Sequence, residues 1–286
     1  MGYEEFIKFT FQRFRSMPFP HPKFTEKELL KSYNNLCRLN DHSISLNSRT
    51  GDRIITHFHE SIYYANRNNS ISPYDAWYDD KLLLEVIRNR VLYQNYLNRN
   101  KILQGFNISK IAQRVSVFSA GRARLILDKY LSEYNSVYDP FSGFSGRMLG
   151  CISLGKTYIG RDISPIHVRE SNEILKFLSR YGVNIANACV SVGDILQSSG
   201  EYEYLFTCPP YSDKEQWLDA PVSITTCDEW IDICIDRFKC GKYVFVVDET
   251  TKYKDCIVET ISNRSHLNSN QELLISIGGK HENQIH

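Results

Sequence analysis

From residue 136 onward the chain alternates short apolar runs with helical patterns, and this alternation restricts the fold more than any other feature. "SVYDP", "TYIGRD", "ANACVSVGD", "YEYLFT", "KYVFVVDET" and "ELLISIG" read as strands. Between them, a helix begins over Met148–Leu154, a long one fills Pro165–Tyr181, and "TTCDEWIDICIDRFKCG" and "KYKDCIVETISNR" read as two more. In the third, Trp230, Ile231, Cys234, Ile235 and Phe238 form one stripe, and Gly241 fits its stop. Alternation of this kind predicts a parallel, doubly wound α/β sheet. Ligands of such sheets bind at the carboxyl ends of the strands.

The preceding stretch has a different texture. "RSMPFPHP" carries three prolines and marks residues 1–20 as an irregular arm. "TEKELLKSYNNLCRL" reads as a helix, with Thr25 as cap, Glu28 three residues on, and Leu29, Leu30, Tyr33, Leu36 and Leu39 on one face. Further helical patterns occupy about residues 53–66 and 80–98. The first includes His57 and His59, whose spacing of two points them to different sides of a helix and argues against a metal site. The expected division is therefore 1–115, mainly helical and basic, and 116–286, the α/β domain.

Composition narrows the class. With 42% hydrophobic and 23% charged residues, the 286-residue chain is an ordinary globular sequence with no case for disorder. It has no apolar run long enough for a membrane helix, and its first residues are too polar for a signal peptide. The eight cysteines include no C-x-x-C pair, so neither a disulfide framework nor a zinc site is expected, and a reducing cytoplasm is. The net charge of +1 hides an asymmetry: residues 1–130 sum to +8 and residues 131–286 to −7. A basic half suggests a polyanionic partner, and Arg13, Arg15, Arg49, Arg53, Arg88, Arg90 and Arg99 are candidate phosphate or base contacts.

Four strand ends carry distinctive chemistry. "DPFSGFSGRMLG" begins at Asp139, and its Gly143 and Gly146 allow a tight turn before a helix opens. It has neither the G-x-G-x-x-G spacing of dinucleotide folds, which counts against an oxidoreductase, nor the lysine of a P-loop. Asp162 ends "YIGRD", where a carboxylate accepts hydrogen bonds from ribose hydroxyls. Asp194 in "VGDI" ends the next strand, where a carboxylate could take the amino group of an adenine. Any one of these could equally cap a helix or hold a turn. In order at successive strand ends, they outline a pocket for an adenosine without phosphates. The fourth end is "TCPPY", where Pro209 and Pro210 must terminate the strand.

"DPFSGFSG", Asp162, Asp194 and "CPPY" at Cys208–Tyr211 together resemble the motif series of S-adenosylmethionine-dependent DNA amino-methyltransferases, over about residues 116–277. The upstream "VFSAGRARLILDKYL" is similar to that family's remaining cofactor motif, with Phe118 near the methionine moiety. The resemblance implies S-adenosyl-L-methionine as cofactor and DNA as partner. Asp139, Pro140, Phe141, Gly143 and Gly146 would hold the methionine end, Asp162 the ribose and Asp194 the adenine. The target base would be flipped out, with Tyr211 stacking on it and Pro209 and Pro210 fixing the loop so that the Pro209 carbonyl accepts one amino hydrogen.

The sequence departs from the family before the two prolines. The residue before Pro-Pro is there Asp, Asn or Ser; here it is Cys208, a weak acceptor. The preferred reading is that a thiol is tolerated because the Pro209 carbonyl does most of the orienting. The others are an inactive relative that still binds DNA, and a covalent nucleophile of the carbon-5 type, which places its cysteine after a proline instead. Serine and cysteine are near-isosteric, and the family's serine form leans toward cytosine targets, so the resemblance implies cytosine slightly over adenine. RNA as substrate is the remaining alternative.

Overall fold

The computed structural model describes residues 2–40, 46, 48–67, 70–93, 97–210, 215–216, 226–261 and 272–278. Its helices are α1 Tyr3–Arg15, α2 Glu26–Cys37, α3 Asp52–Phe58, α4 Pro73–Tyr78 and α5 Asp80–Tyr93, then α6 Arg99–Ile108, α7 Ala120–Tyr130, α8 Gly146–Ile152, α9 Pro165–Arg180 and α10 Cys227–Arg237. The strands are β1 Asn66–Arg67, β2 Ser136–Asp139, β3 Thr157–Asp162, β4 Ala188–Val192 and β5 Gly200–Thr207, followed by β6 Glu215–Gln216, β7 Phe238–Asp248, β8 Ile257–Ile261 and β9 Glu272–Gly278. The chain divides into two compact units. One comprises Met1–Lys23, Glu60–Ser116 and Asp213–Pro221; the other comprises Phe24–His59, Val117–Ser212 and Val222–His286. Among the described residues, no helix is long and apolar enough to cross a membrane.

The first unit is built on α1, α4, α5 and α6, with β1 and β6 forming a two-residue antiparallel ladder. Trp77 is fully buried, donates its indole N–H to the Met17 carbonyl at 3.2 Å, and meets the Phe14 and Phe19 rings edge-on. The arm expected over residues 1–20 is corrected by α1. Ile7, Thr10 and Phe14 recur at helical spacing and are buried, so the irregular backbone begins only after Arg15, where the prolines are.

The second unit carries a seven-stranded sheet of order β4-β3-β2-β5-β7-β9-β8. β4, β3, β2, β5 and β7 run parallel, while β9 pairs antiparallel with both β7 and β8. Order runs outward from β2 to β4 and then reverses to β5 and β7. With right-handed crossovers, this puts α8 and α9 on one face and α10 on the other. The result is a Rossmann-like doubly wound sheet, as the alternation predicts. Central strands are apolar along their length because both faces are covered: Tyr204–Phe206 and Tyr243–Val247 are buried without a break.

Three local expectations are corrected. "KYKDCIVETISNR" is not a helix: Ile257–Ile261 is β8, whose β-branched Ile257, Val258, Thr260 and Ile261 suit an edge strand laid on β9. The last strands make the sheet mixed, not wholly parallel. Gly241 is no helix stop, since α10 ends at Arg237 and Gly241 lies inside β7. Phe24–His59 belongs to the unit that carries the sheet, so residues 1–115 contribute to both units. There α2 begins as the sequence indicates, with the Thr25 side chain accepting from the Glu28 amide and Glu28 accepting from the Thr25 amide at 2.8 Å.

Candidate active site at the carboxyl edge of the sheet

The sheet order reverses between β2 and β5, and their carboxyl ends open the crevice where doubly wound folds bind ligands. Asp139 is the last residue of β2 and is 0% exposed. Its Oδ1 accepts from the Thr207 hydroxyl at 2.6 Å and the Phe141 amide at 3.2 Å. Its Oδ2 accepts from Arg147 Nε and the Tyr158 hydroxyl, both at 2.7 Å. Four donors occupy the lone-pair directions a carboxylate offers, so Asp139 serves the loop that follows it by tying that loop to β3, β5 and α8.

Arg147 is the residue that sequence reasoning missed. It is buried, donates to Asp139 and to the Phe141 carbonyl, and lies over the Phe118 ring at 5.0 Å. Burial works against its charge, but the Asp139 carboxylate outweighs it and tightens the hold of the guanidinium on its proton. Phe118 also meets Phe206 edge-on at 5.9 Å. Its carbonyl oxygen lies 1.7 Å from where a side chain on Gly146 would place its Cβ, so only glycine admits this approach. Gly143 meets a different demand: its φ of +53° is left-handed, and among the described residues a Cβ there would find only the Phe141 carbonyl, at 3.7 Å. Ser142, just before Gly143, carries a buried hydroxyl with no partner among the described residues.

Asp162 ends β3. Its Oδ2 accepts from the Gly143 amide at 2.7 Å and its Oδ1 from the Ser164 amide at 2.9 Å, with His167 Nδ1 3.3 Å away. Burial alone would raise this carboxyl, but His167 and then the two amides outweigh burial and hold it below its ordinary 3.8. Asp194, two residues beyond β4, is half-buried and accepts from the Leu196 amide at 2.9 Å as the cap of a short 3-10 turn. Pro140 is buried, and Phe141 meets Trp230 edge-on at 5.1 Å. Cys208 and Pro210 are half-buried and Pro209 is buried, directly after β5. Cys208 lies within electrostatic reach of Arg147. Tyr211 lies outside the described residues.

Residues Phe24–His59 reach this edge at two places. Asp52 Oδ1 accepts from the Ala120 amide at 3.1 Å and the Ser119 hydroxyl at 2.8 Å, capping α7 beside Phe118. His59 bonds Ser145 within the glycine loop at 2.8 Å. His57 accepts instead from the Phe24 amide at 3.0 Å. Of the arginines, Arg49 pairs with Asp52 at 3.4 Å and Arg53 lies over the Phe24 ring at 5.6 Å, both in the sheet-bearing unit. In the other unit Arg15 pairs with Asp80 at 2.6 Å and Arg88 with Glu4 at 3.5 Å, while Arg13 and Arg99 are exposed and Arg90 packs on α6 at Gly105.

No protein-family model matches this chain, and no curated protein matches it in sequence. Several solved structures align with just over half of it. A Thermoplasma acidophilum protein aligns with a TM-score of 0.41 at 12% identity, over 57% of this chain and 89% of its own. An RNA methyltransferase from Salinibacter ruber, in complex with S-adenosyl-L-homocysteine, aligns with a TM-score of 0.40 at 15% identity, over 56% of this chain and 90% of its own. TehB from Haemophilus influenzae aligns with a TM-score of 0.39 at 11% identity, over 62% of this chain and 66% of its own.

Proposed function

We propose that this chain is an S-adenosyl-L-methionine-dependent DNA methyltransferase acting on the exocyclic amino group of a flipped-out base, with cytosine favoured over adenine. One observation carries the reading. Asp194, Asp162, the glycine loop and Cys208-Pro209-Pro210 follow the carboxyl ends of β4, β3, β2 and β5, four strands adjacent in that order, and the last two flank the reversal. The residues fit the cofactor: among the described residues the face of Gly143 is open and the buried Ser142 hydroxyl has no partner, and a carboxylate ends β3.

The cofactor supplies, when bound, a methyl group activated by attachment to a positively charged sulfur. The glycine loop would hold its methionine end, with Asp139 acting through the loop's shape and Phe118 lying alongside. Asp162 would accept from the ribose hydroxyls and Asp194 from the adenine amino group. The carbonyl of Pro209 would accept one hydrogen of the target amino group and Cys208 the other, weakly. Two acceptors so placed direct the nitrogen lone pair at the methyl group, and catalysis is then mostly positioning. Tyr211 would stack on the base and offset its unstacking. The charge of +8 over residues 1–130 supports a polyanionic substrate whose binding weakens steeply with salt.

Incubation of the protein with labelled cofactor and, separately, duplex DNA, single-stranded DNA and RNA tests the proposal, with mass spectrometry of the nucleosides as readout. N4-methylcytosine in DNA is expected. Label in RNA alone would replace the substrate, and cofactor binding without transfer to any nucleic acid would replace the enzyme with an inactive relative.

A further inference from the structure

Behind the glycine loop lies a chain of four buried polar side chains that methyl transfer does not use. Glu170 Oε2 is 3.0 Å from His59 Nδ1, His59 Nε2 is 2.8 Å from Ser145 Oγ, and Ser145 Oγ is 2.6 Å from Ser171 Oγ. All four residues are buried, His59 and Ser171 completely. A carboxylate only accepts, so His59, which burial favours in its neutral form, donates from Nδ1, and its Nε2 accepts from the Ser145 hydroxyl. Ser145 in turn accepts from Ser171, and every hydrogen in the chain is placed from one end. The Phe144 ring stands edge-on to His59 at 5.5 Å and fixes the imidazole further.

One inner link of the chain is a strained residue. Ser145 has φ 63° and ψ 9°, a left-handed conformation that a non-glycine residue keeps only where its surroundings impose it. On one side of it, Gly146 lies against the Phe118 carbonyl; on the other, Gly143 donates its amide to Asp162. The backbone at Ser145 therefore sets how the loop faces its ligand.

We infer that the Glu170–His59–Ser145–Ser171 chain holds Ser145 in its left-handed conformation and so shapes the ligand-facing loop Asp139–Gly146, with His59 and Glu170 as positioning residues. Only the identity of the ligand rests on the reading proposed above.

Three variants test this: Ser145→Ala, Ser145→Gly, and His59→Phe combined with Glu170→Gln, which avoids a buried carboxylate that has lost its histidine. Two quantities are measured on each: hydrogen exchange in peptides covering residues 140–148, and S-adenosyl-L-homocysteine affinity by calorimetry. Alanine keeps the strain and loses the bond, so its loop should exchange faster and its affinity should fall about tenfold, the fold-change that one such backbone cost produces. Glycine adopts the conformation freely and should stay close to the native protein. The double variant should behave like alanine, with exchange raised selectively in this loop. A native protein that resembles Ser145→Ala, with Ser145→Gly better than both, would overturn the inference, as would a double variant that exchanges faster everywhere alike. Failure of the native protein to bind S-adenosyl-L-homocysteine would overturn the cofactor reading alone, since the order of exchange rates still decides whether the chain holds the loop.

Discussion

Thr207 Oγ1 donates to Asp139 Oδ1 at 2.6 Å, joining the last residues of β5 and β2 across the point where the sheet order reverses. Both residues are 0% exposed. Thr207→Val keeps the shape and removes the donor, leaving Asp139 with three partners. A hydrogen bond to a buried charge contributes about 1.5–3 kcal/mol, so the unfolding free energy from urea titration should fall by that much, with weaker cofactor binding alongside. An unchanged free energy would mean that this bond does not hold the crevice floor.

The two loop glycines should fail for different reasons. Gly146→Ala drives a methyl group into the Phe118 carbonyl and should cost about 3 kcal/mol or more, because backbone has to shift. Gly143→Ala makes an ordinary contact with the Phe141 carbonyl at 3.7 Å and bears only the left-handed penalty of roughly 1–2 kcal/mol. It should fold, yet bind cofactor poorly, because its methyl group covers the face the ligand needs. Unfolding curves and calorimetry on the pair separate the two effects; full cofactor affinity in Gly143→Ala would remove the loop from the binding site.

Acid should loosen this edge in two steps of the same sign. Burial holds His59 below its ordinary 6.5, more than the facing Glu170 lifts it, with His167 lowering it and Asp162 raising it further. As pH falls through 6.5 the unfolded chain takes up a proton that the folded chain refuses, so stability falls until the lowered folded value is passed. Asp162 is also depressed, and the stability it contributes is complete above 3.8 and lost as pH falls through its folded value. The melting temperature should therefore drop as pH falls through 6.5 and again in the carboxylate range. In the His59→Phe, Glu170→Gln variant the first drop should shrink; one of undiminished size would place its origin elsewhere.

For the proposed chemistry, Cys208→Ser should keep or raise methylation if the thiol merely stands in for a hydroxyl. Complete loss would favour a covalent nucleophile. Tyr211→Ala should cut base methylation and leave cofactor affinity nearly intact, since a stacking face acts on the substrate alone.

The carboxyl ends of the strands were legible because each follows an apolar run and is punctuated by Asp, Gly or Pro, all local signals. Strand β8 was misread because "KYKDCIVETISNR" has an apolar spacing compatible with a helix, and only the edge of β9 decides for a strand. The partners of Asp139 were illegible for a similar reason. Arg147 sits within a helical run like any surface arginine until folding brings Phe118 and Asp139 to it. The His59 chain could not be read at all: Glu170 lies 111 residues away and Ser145 86, and nothing local marks "HFH" as their partner.

Residues 60–116 leave the sheet-bearing unit after His59 and return to it at Val117. His59 is bonded to Ser145, and the carbonyl of Phe118 lies against Gly146, so departure and return occur beside two consecutive residues. At about 3.5 Å per residue a very short peptide could join such ends. Residues 60–116 contribute no strand to the seven-stranded sheet, so its order β4-β3-β2-β5-β7-β9-β8 is threaded entirely by the chain on either side of that excursion.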